Sequence, residues 1–169
     1  MSDPEKSVLD WLRDAHAMEQ QSEQMLTGEI KRLEHYPQLK ARLEEHIEET
    51  RGQQQLLQQC IERLGGSTSS IKDASAKLMA FGQAASGMFV SDEVVKGAMS
   101  AYVFENMEIA SYTVLIAAAK VTGDSETQRI CEQILPQEVA MAEWLRNHLP
   151  SLTENFLDRK ADPDVTAKR

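Results

Sequence analysis

Four stretches of this chain repeat apolar residues in steps of three and four, and each carries glutamate in or beside its stripe near mid-length. The first reads Val8, Leu12, Ala15, Glu19, Ser22, Leu26, Leu33. The second reads Leu39, Leu43, His46, Thr50, Gln53, Leu57, Cys60, Leu64, with Glu49 on its flank. The third reads Val94, Ala98, Ala101, Glu105, Glu108, Tyr112, Leu115, Ala119, and the fourth Cys131, Ile134, Glu138, Met141, Leu145. Such spacing lines one face of an α-helix. Amphipathic helices bury these faces against one another, so the expected fold is all-α, a four-helix bundle. The acids then fall at mid-height in its core.

The punctuation sets the order of the helices. Asp3-Pro4 is a start signal, with proline tolerated in a first helical turn. Pro37 separates the first two stripes, and Gly65-Gly66 ends the second as glycine does past a helix C-terminus. Residues 67–90 are expected to be a crossover with a short helix, apolar at Ile71, Leu78, Met79, Phe81 and Met88. Ser91-Asp92-Glu93 caps the third stripe, and Gly123-Asp124 turns the chain into the fourth. Pro136 should kink that helix locally and Pro150 should stop it. The expected domain is therefore 1–150, with a polar, mobile tail over 151–169. The order is two hairpins joined by a long crossover, which lets segment three lie parallel to segment two. Glu19 and Glu49 stand as far apart as Glu108 and Glu138, which points to an internal duplication in which His16 answers Glu105.

Bulk properties narrow the function. The 169 residues suffice for one domain with a real core, and only 5% are aromatic. A net charge of −9 argues against nucleic acid, which needs clustered Lys and Arg; only Arg159, Lys160, Lys168 and Arg169 gather, in the tail. No apolar run approaches the ~20 residues that span a bilayer. The start, MSDPEKSVLDWL, lacks the basic and apolar regions of a secretory leader. A soluble, cytoplasmic protein is expected, with Cys60 and Cys131 as buried reduced thiols.

The seam acids carry the chemistry. Glutamate favours helices and is usually solvated, so misphased surface charge is the simplest alternative for any one of them. A buried salt-bridge network fails for want of partners, since Lys and Arg are nearly absent from the seams. Buried together, these carboxylates must take protons, admit water or bind a cation. Carboxylates with one or two imidazoles suit iron or manganese, and a pair of ions fits better than one. The candidate ligands are Glu19, Glu49, Glu108 and Glu138, with His46, Glu105 and His16 at helical spacing beside them. Tyr102 and Tyr112 read as core residues with satisfied hydroxyls, or as donors to a ligand carboxylate. There is no Ser-His-Asp set, Gly-rich phosphate loop or CxxC pair.

The runs DAHAMEQQ, EEHIEETRGQ, YVFENMEIASYTVLIAAAK and LPQEVAMAEWL resemble the YciE/YciF family of bacterial ferritin-like stress proteins. The resemblance implies a ferritin-like bundle packed as a homodimer, a di-iron centre and ferroxidase-like activity. Phe81, Met88 and Phe89 in the crossover are apolar enough to line such an interface. Carried over residue by residue, the ferritin-like ligands are Glu19, Glu49, Glu108 and Glu138, with Glu49 and Glu138 as bridges. The usual Glu-x-x-His pairs would place histidine at 52 and 141, where Gly52 and Met141 stand. His46 and Glu105, on the other side of their partners, are the substitutes. The opposing expectation is a non-enzymatic dimeric bundle acting through partner contacts, with at most a structural ion. Storage of iron would require a hollow assembly.

Overall fold

The computed structural model describes residues 1–67 and 94–162, and among these there are four helices and no strand. They are α1 (Asp3–Ile30), α2 (Pro37–Arg63), α3 (Val94–Thr122) and α4 (Ser125–Ala161). The expected crossover helix, the Ser91-Asp92-Glu93 cap and the interface residues Phe81, Met88 and Phe89 lie outside the described residues.

Helix ends follow the local chemistry. Ser2, one residue before the expected Asp3, caps α1 in a reciprocal box with Glu5. Pro37 opens α2, where its missing N–H is not needed. α2 closes with a Schellman motif: Gly65 N–H donates to the Glu62 carbonyl and Gly66 N–H to that of Ile61, both at 2.9 Å. Gly65 has φ 75°, the left-handed conformation this cap requires. Gly123, with φ 74°, ends α3 in the same way.

Pro150 does not stop α4, contrary to the sequence expectation; the helix runs through both Pro136 and Pro150 to Ala161. Leu152 and Phe156 are buried beyond it, and Leu152 joins the apolar cluster of Leu33, Tyr36 and Leu39. Burying two such side chains contributes roughly 1.5–3 kcal/mol each, enough to offset the ~3 kcal/mol of an interior proline. The expected tail is therefore helical as far as Ala161, and 163–169 lie outside the described residues.

Two apolar clusters fix the directions of the helices. One gathers Leu12 from early α1, Ile61 from late α2, Leu115 from late α3 and Ile130 from early α4. The other gathers Leu26, Leu43, Ala98 and Leu145 from the opposite halves. Hence α1 and α4 run one way, and α2 and α3 the other. α1 packs against α2 and α3, and α4 against α3 and α2. α2 and α3 are parallel across the bundle, as the hairpin–crossover–hairpin reading expects. Cys60 and Cys131 are free and buried.

Candidate metal centre

A polar layer lies between the two apolar clusters. Glu19 of α1, His46 of α2, Glu105 and Glu108 of α3 and Glu138 of α4 are fully buried in it. The seam phase explains this convergence. Residues three or four apart share a helix face, so Glu105 and Glu108 point inward with Ala101 and Tyr112. His46 does so with Leu43, Thr50 and Gln53. His46, Glu105, Glu108 and Glu138 each offer an atom within 4.8 Å of all the others. Glu19 adjoins them, close enough that its charge acts on Glu108.

The hydrogen bonds share a pattern. The Tyr112 hydroxyl donates to Glu19 Oε1, and the Gln53 amide donates to Glu138 Oε1 and, at 2.9 Å, to Gln137 Oε1. Among the described residues, no donor stands in hydrogen-bond geometry to the other oxygen, Oε2, of either glutamate, or to either oxygen of Glu105 or Glu108. His46 Nδ1 lies 2.7 Å from Glu49 Oε2. Its Nε2 lies 3.2 Å from Glu105 Oε2 and 3.5 Å from Glu138 Oε2.

Burial and mutual repulsion dominate the electrostatics. Burial, then the charge of Glu138, pushes the Glu19 carboxyl well above its usual range, despite the Tyr112 hydrogen bond. Burial and the charges of Glu19, Glu105 and Glu138 do the same to Glu108. Burial raises Glu105 to about 7 against the opposing pull of His46. Burial alone would discharge His46, but its contacts with Glu105, Glu138 and Glu49 raise it to about 12. One imidazolium thus faces four buried carboxyl groups. Arg42 stays at the rim, 3.2 Å from Glu45 and 3.4 Å from Glu49.

Glu49 and His16 take other places than the sequence suggested. Glu49 is a quarter exposed on the rim, engaged by His46 and Arg42, so the bridging position expected for it does not match where it sits. Its seam neighbours Thr50 and Gln53 take the inward positions. His16 is buried one turn from Glu19, but only burial acts on its titration and it stands outside the four-residue group. Gly52 and Met141 supply no nitrogen, and Met141 packs in an apolar cluster. Gln53 was not singled out from the sequence as a partner of Glu138. Its signal was there: an amide on the buried seam two turns from His46.

The donor set passes a test of fit for a metal. It offers one nitrogen and several carboxylate oxygens from helices, a composition suited to iron or manganese. Among the described residues, six buried carboxylate oxygens meet no donor in hydrogen-bond geometry, and buried polar groups ordinarily have partners. The outward-tied oxygens of Glu19 and Glu138 resemble the outer hydrogen bonds that orient metal ligands.

Fold and site together define a ferritin-like four-helix bundle with a buried carboxylate–histidine cluster. The chain belongs to the family described as Domain of unknown function (DUF892), which matches residues 3–158. A crystal structure of a protein from Xanthomonas campestris is 39% identical, with a TM-score of 0.79 over 95% of this chain and all of that one. The E. coli stress protein YciF is 24% identical, with a TM-score of 0.69 over 88% of this chain and 96% of its own. A dodecameric thioferritin, the bacterioferritin-related protein from Bacteroides fragilis, shares the fold at 18% identity, with a TM-score of 0.70 over 89% of this chain and 88% of that one. The YciE/YciF resemblance read from the sequence agrees with these matches.

Proposed function

We propose that the buried cluster binds divalent metal, as two iron or manganese ions, and that the protein oxidises iron(II) with oxygen or peroxide under stress. The observation that carries this reading is the convergence of four buried glutamates on one imidazole: six of their oxygens meet no donor in hydrogen-bond geometry, two of those six face His46 Nε2, and no Lys or Arg among the described residues pairs with them. His46, Glu105, Glu108 and Glu138 would hold one ion, and Glu19 would adjoin a second with Glu108 and Glu138. Iron(II), as substrate, supplies the electron that oxygen or peroxide takes. The chain's own part is to exclude bulk water with the apolar clusters on either side and to orient the ligands. Tyr112 holds Glu19 and Gln53 holds Glu138. Burial makes Glu19 and Glu108 hold protons more tightly than free glutamates do, and a cation entering would displace them.

A second reading is favoured by the single nitrogen donor. With Gly52 and Met141 at the usual histidine positions, the cluster could hold one structural ion in a bundle that acts through partner contacts. Metal content together with dioxygen consumption on adding iron(II) separates the two. Bound metal without oxygen consumption favours the second, and oxygen consumption that Glu108→Gln abolishes supports the first.

For assembly we propose a homodimer in the cytoplasm. No helix among the described residues is long and apolar enough to cross a membrane. The outer face of α3 exposes Met99, Val103, Val114 and Val121. Between Lys96 and Lys120 the only charged residues of α3 are the buried Glu105 and Glu108. Apolar surface of this extent commonly marks an interface. Sedimentation should give twice the chain mass; a monomer, or a closed cage like the dodecamer of the Bacteroides protein, would contradict it.

A further inference from the structure

We infer that Glu49 is a positioning residue for His46 and not itself a metal ligand: it grips the imidazole at Nδ1 and aims Nε2 at Glu105 and Glu138. This rests on the reading of the cluster as a metal site.

The two ring nitrogens point away from each other, so only one of them can meet an ion held by Glu105, Glu108 and Glu138. Nε2 is the one that faces those carboxylates, at 3.2 Å from Glu105 and 3.5 Å from Glu138. Nδ1 faces outward and donates to Glu49 Oε2 at 2.7 Å. That same oxygen lies 3.4 Å from Arg42 Nη1, and Arg42 also reaches Glu45 at 3.2 Å. To become a ligand, Glu49 would have to abandon both His46 and Arg42. Where it stands, it completes a set. Glu19 is tied on one side by Tyr112, Glu138 by Gln53 and His46 by Glu49. Carboxylate–histidine pairs of this kind fix the ring and its ligating nitrogen.

The test compares wild type with Glu49→Gln, Glu49→Ala and, as a ligand control, Glu138→Gln. Cobalt(II) alone is the probe, because its absorption bands report the atoms that coordinate it. Glutamine keeps an oxygen that accepts from Nδ1–H, so Glu49→Gln should show the wild-type bands, while Glu138→Gln shifts them. Glu49→Ala should weaken cobalt binding by about 10–100-fold. A second arm needs no metal. In 15N-labelled protein the His46 Nδ1–H proton should exchange slowly in wild type and Glu49→Gln, and be lost to exchange in Glu49→Ala. Bands shifted in Glu49→Gln as in Glu138→Gln would make Glu49 a ligand and overturn the inference. So would Glu49→Ala with wild-type affinity, or with a protected Nδ1–H. If the wild type takes up no cobalt, iron or manganese, the metal-site reading falls. The metal-free arm then still decides whether Glu49 holds the ring.

Discussion

Replacing Glu108 by glutamine should make the metal-free protein more stable at pH 7, although it alters a fully buried residue. Among the described residues no Lys, Arg or amide donor stands in hydrogen-bond geometry to either oxygen of Glu108, and burial and three neighbouring carboxylates push its carboxyl well above the ordinary 4.5. The folded chain therefore holds this proton more tightly than the unfolded chain does. At 1.36 kcal/mol per pH unit, about 3 kcal/mol is the ceiling on this penalty at pH 7, the full cost of a group that keeps its proton. The sign follows from proton counts. The native state binds more protons, so this contribution is harmless below 4.5 and grows unfavourable as pH rises. Glutamine has nearly the same volume and no charge to suppress. Its amide is as poorly partnered as the acid it replaces, so that penalty cancels. At about 2–4 °C per kcal/mol for a chain of this size, the melting temperature should rise, by at most roughly 6–12 °C. Glu108→Ala removes the same group but leaves a cavity, so its gain should be smaller. Thermal melts by circular dichroism in chelator, at pH 4.5 and pH 7, read the effect. The gain should be present at pH 7 and vanish at pH 4.5. An unchanged or lower melting temperature at pH 7, or an equal gain at both, would refute the reasoning.

Three further outcomes follow from the same layer and its surroundings. Tyr112→Phe removes the donor to Glu19 Oε1 and should destabilise the metal-free protein by about 1–3 kcal/mol in urea denaturation; no change would mean that the hydroxyl does not hold Glu19. Metal binding should release protons, because Glu19 and Glu108 are raised, Glu105 stands near 7 and His46 near 12. All four shifts make affinity grow as pH rises through neutrality, and calorimetry in two buffers of different ionisation heat would show it; heats independent of buffer would contradict it. Ending the chain at Pro150 strips away the burial of Leu152 and Phe156 and should cost roughly 3–6 kcal/mol; a truncated protein as stable as the full chain would return α4 to its expected stop.

The sequence made the bundle legible because periodicity is strong where all four stripes are long. It also placed Glu19, Glu108 and Glu138 in the core, since each replaces an apolar residue in phase. Glu49 shows the limit of this reading. It sits one position off a seam already filled by His46, Thr50 and Gln53, and equal spacing with the second hairpin pulled it inward on paper. The same duplication matched His16 to Glu105, yet equal spacing does not fix the rotation of a helix, and His16 stands outside the group. Pro150 was misread because a local rule met a tertiary gain: the burial of Leu152 and Phe156 carries the helix past it. Tyr112 stands on the buried seam of α3, but its partner lies on α1, and a contact between residues so distant in the chain leaves no periodic trace.

The central claim is that the buried cluster takes a cation. Elemental analysis of protein purified without added metal, and again after equilibration with iron(II) and manganese(II) followed by desalting, tests it most directly. Wild type should retain iron or manganese, at about two ions per chain if the site is the paired carboxylate type, and Glu108→Gln should retain far less. A wild type that holds neither metal after equilibration, or a variant that holds as much, would contradict the account.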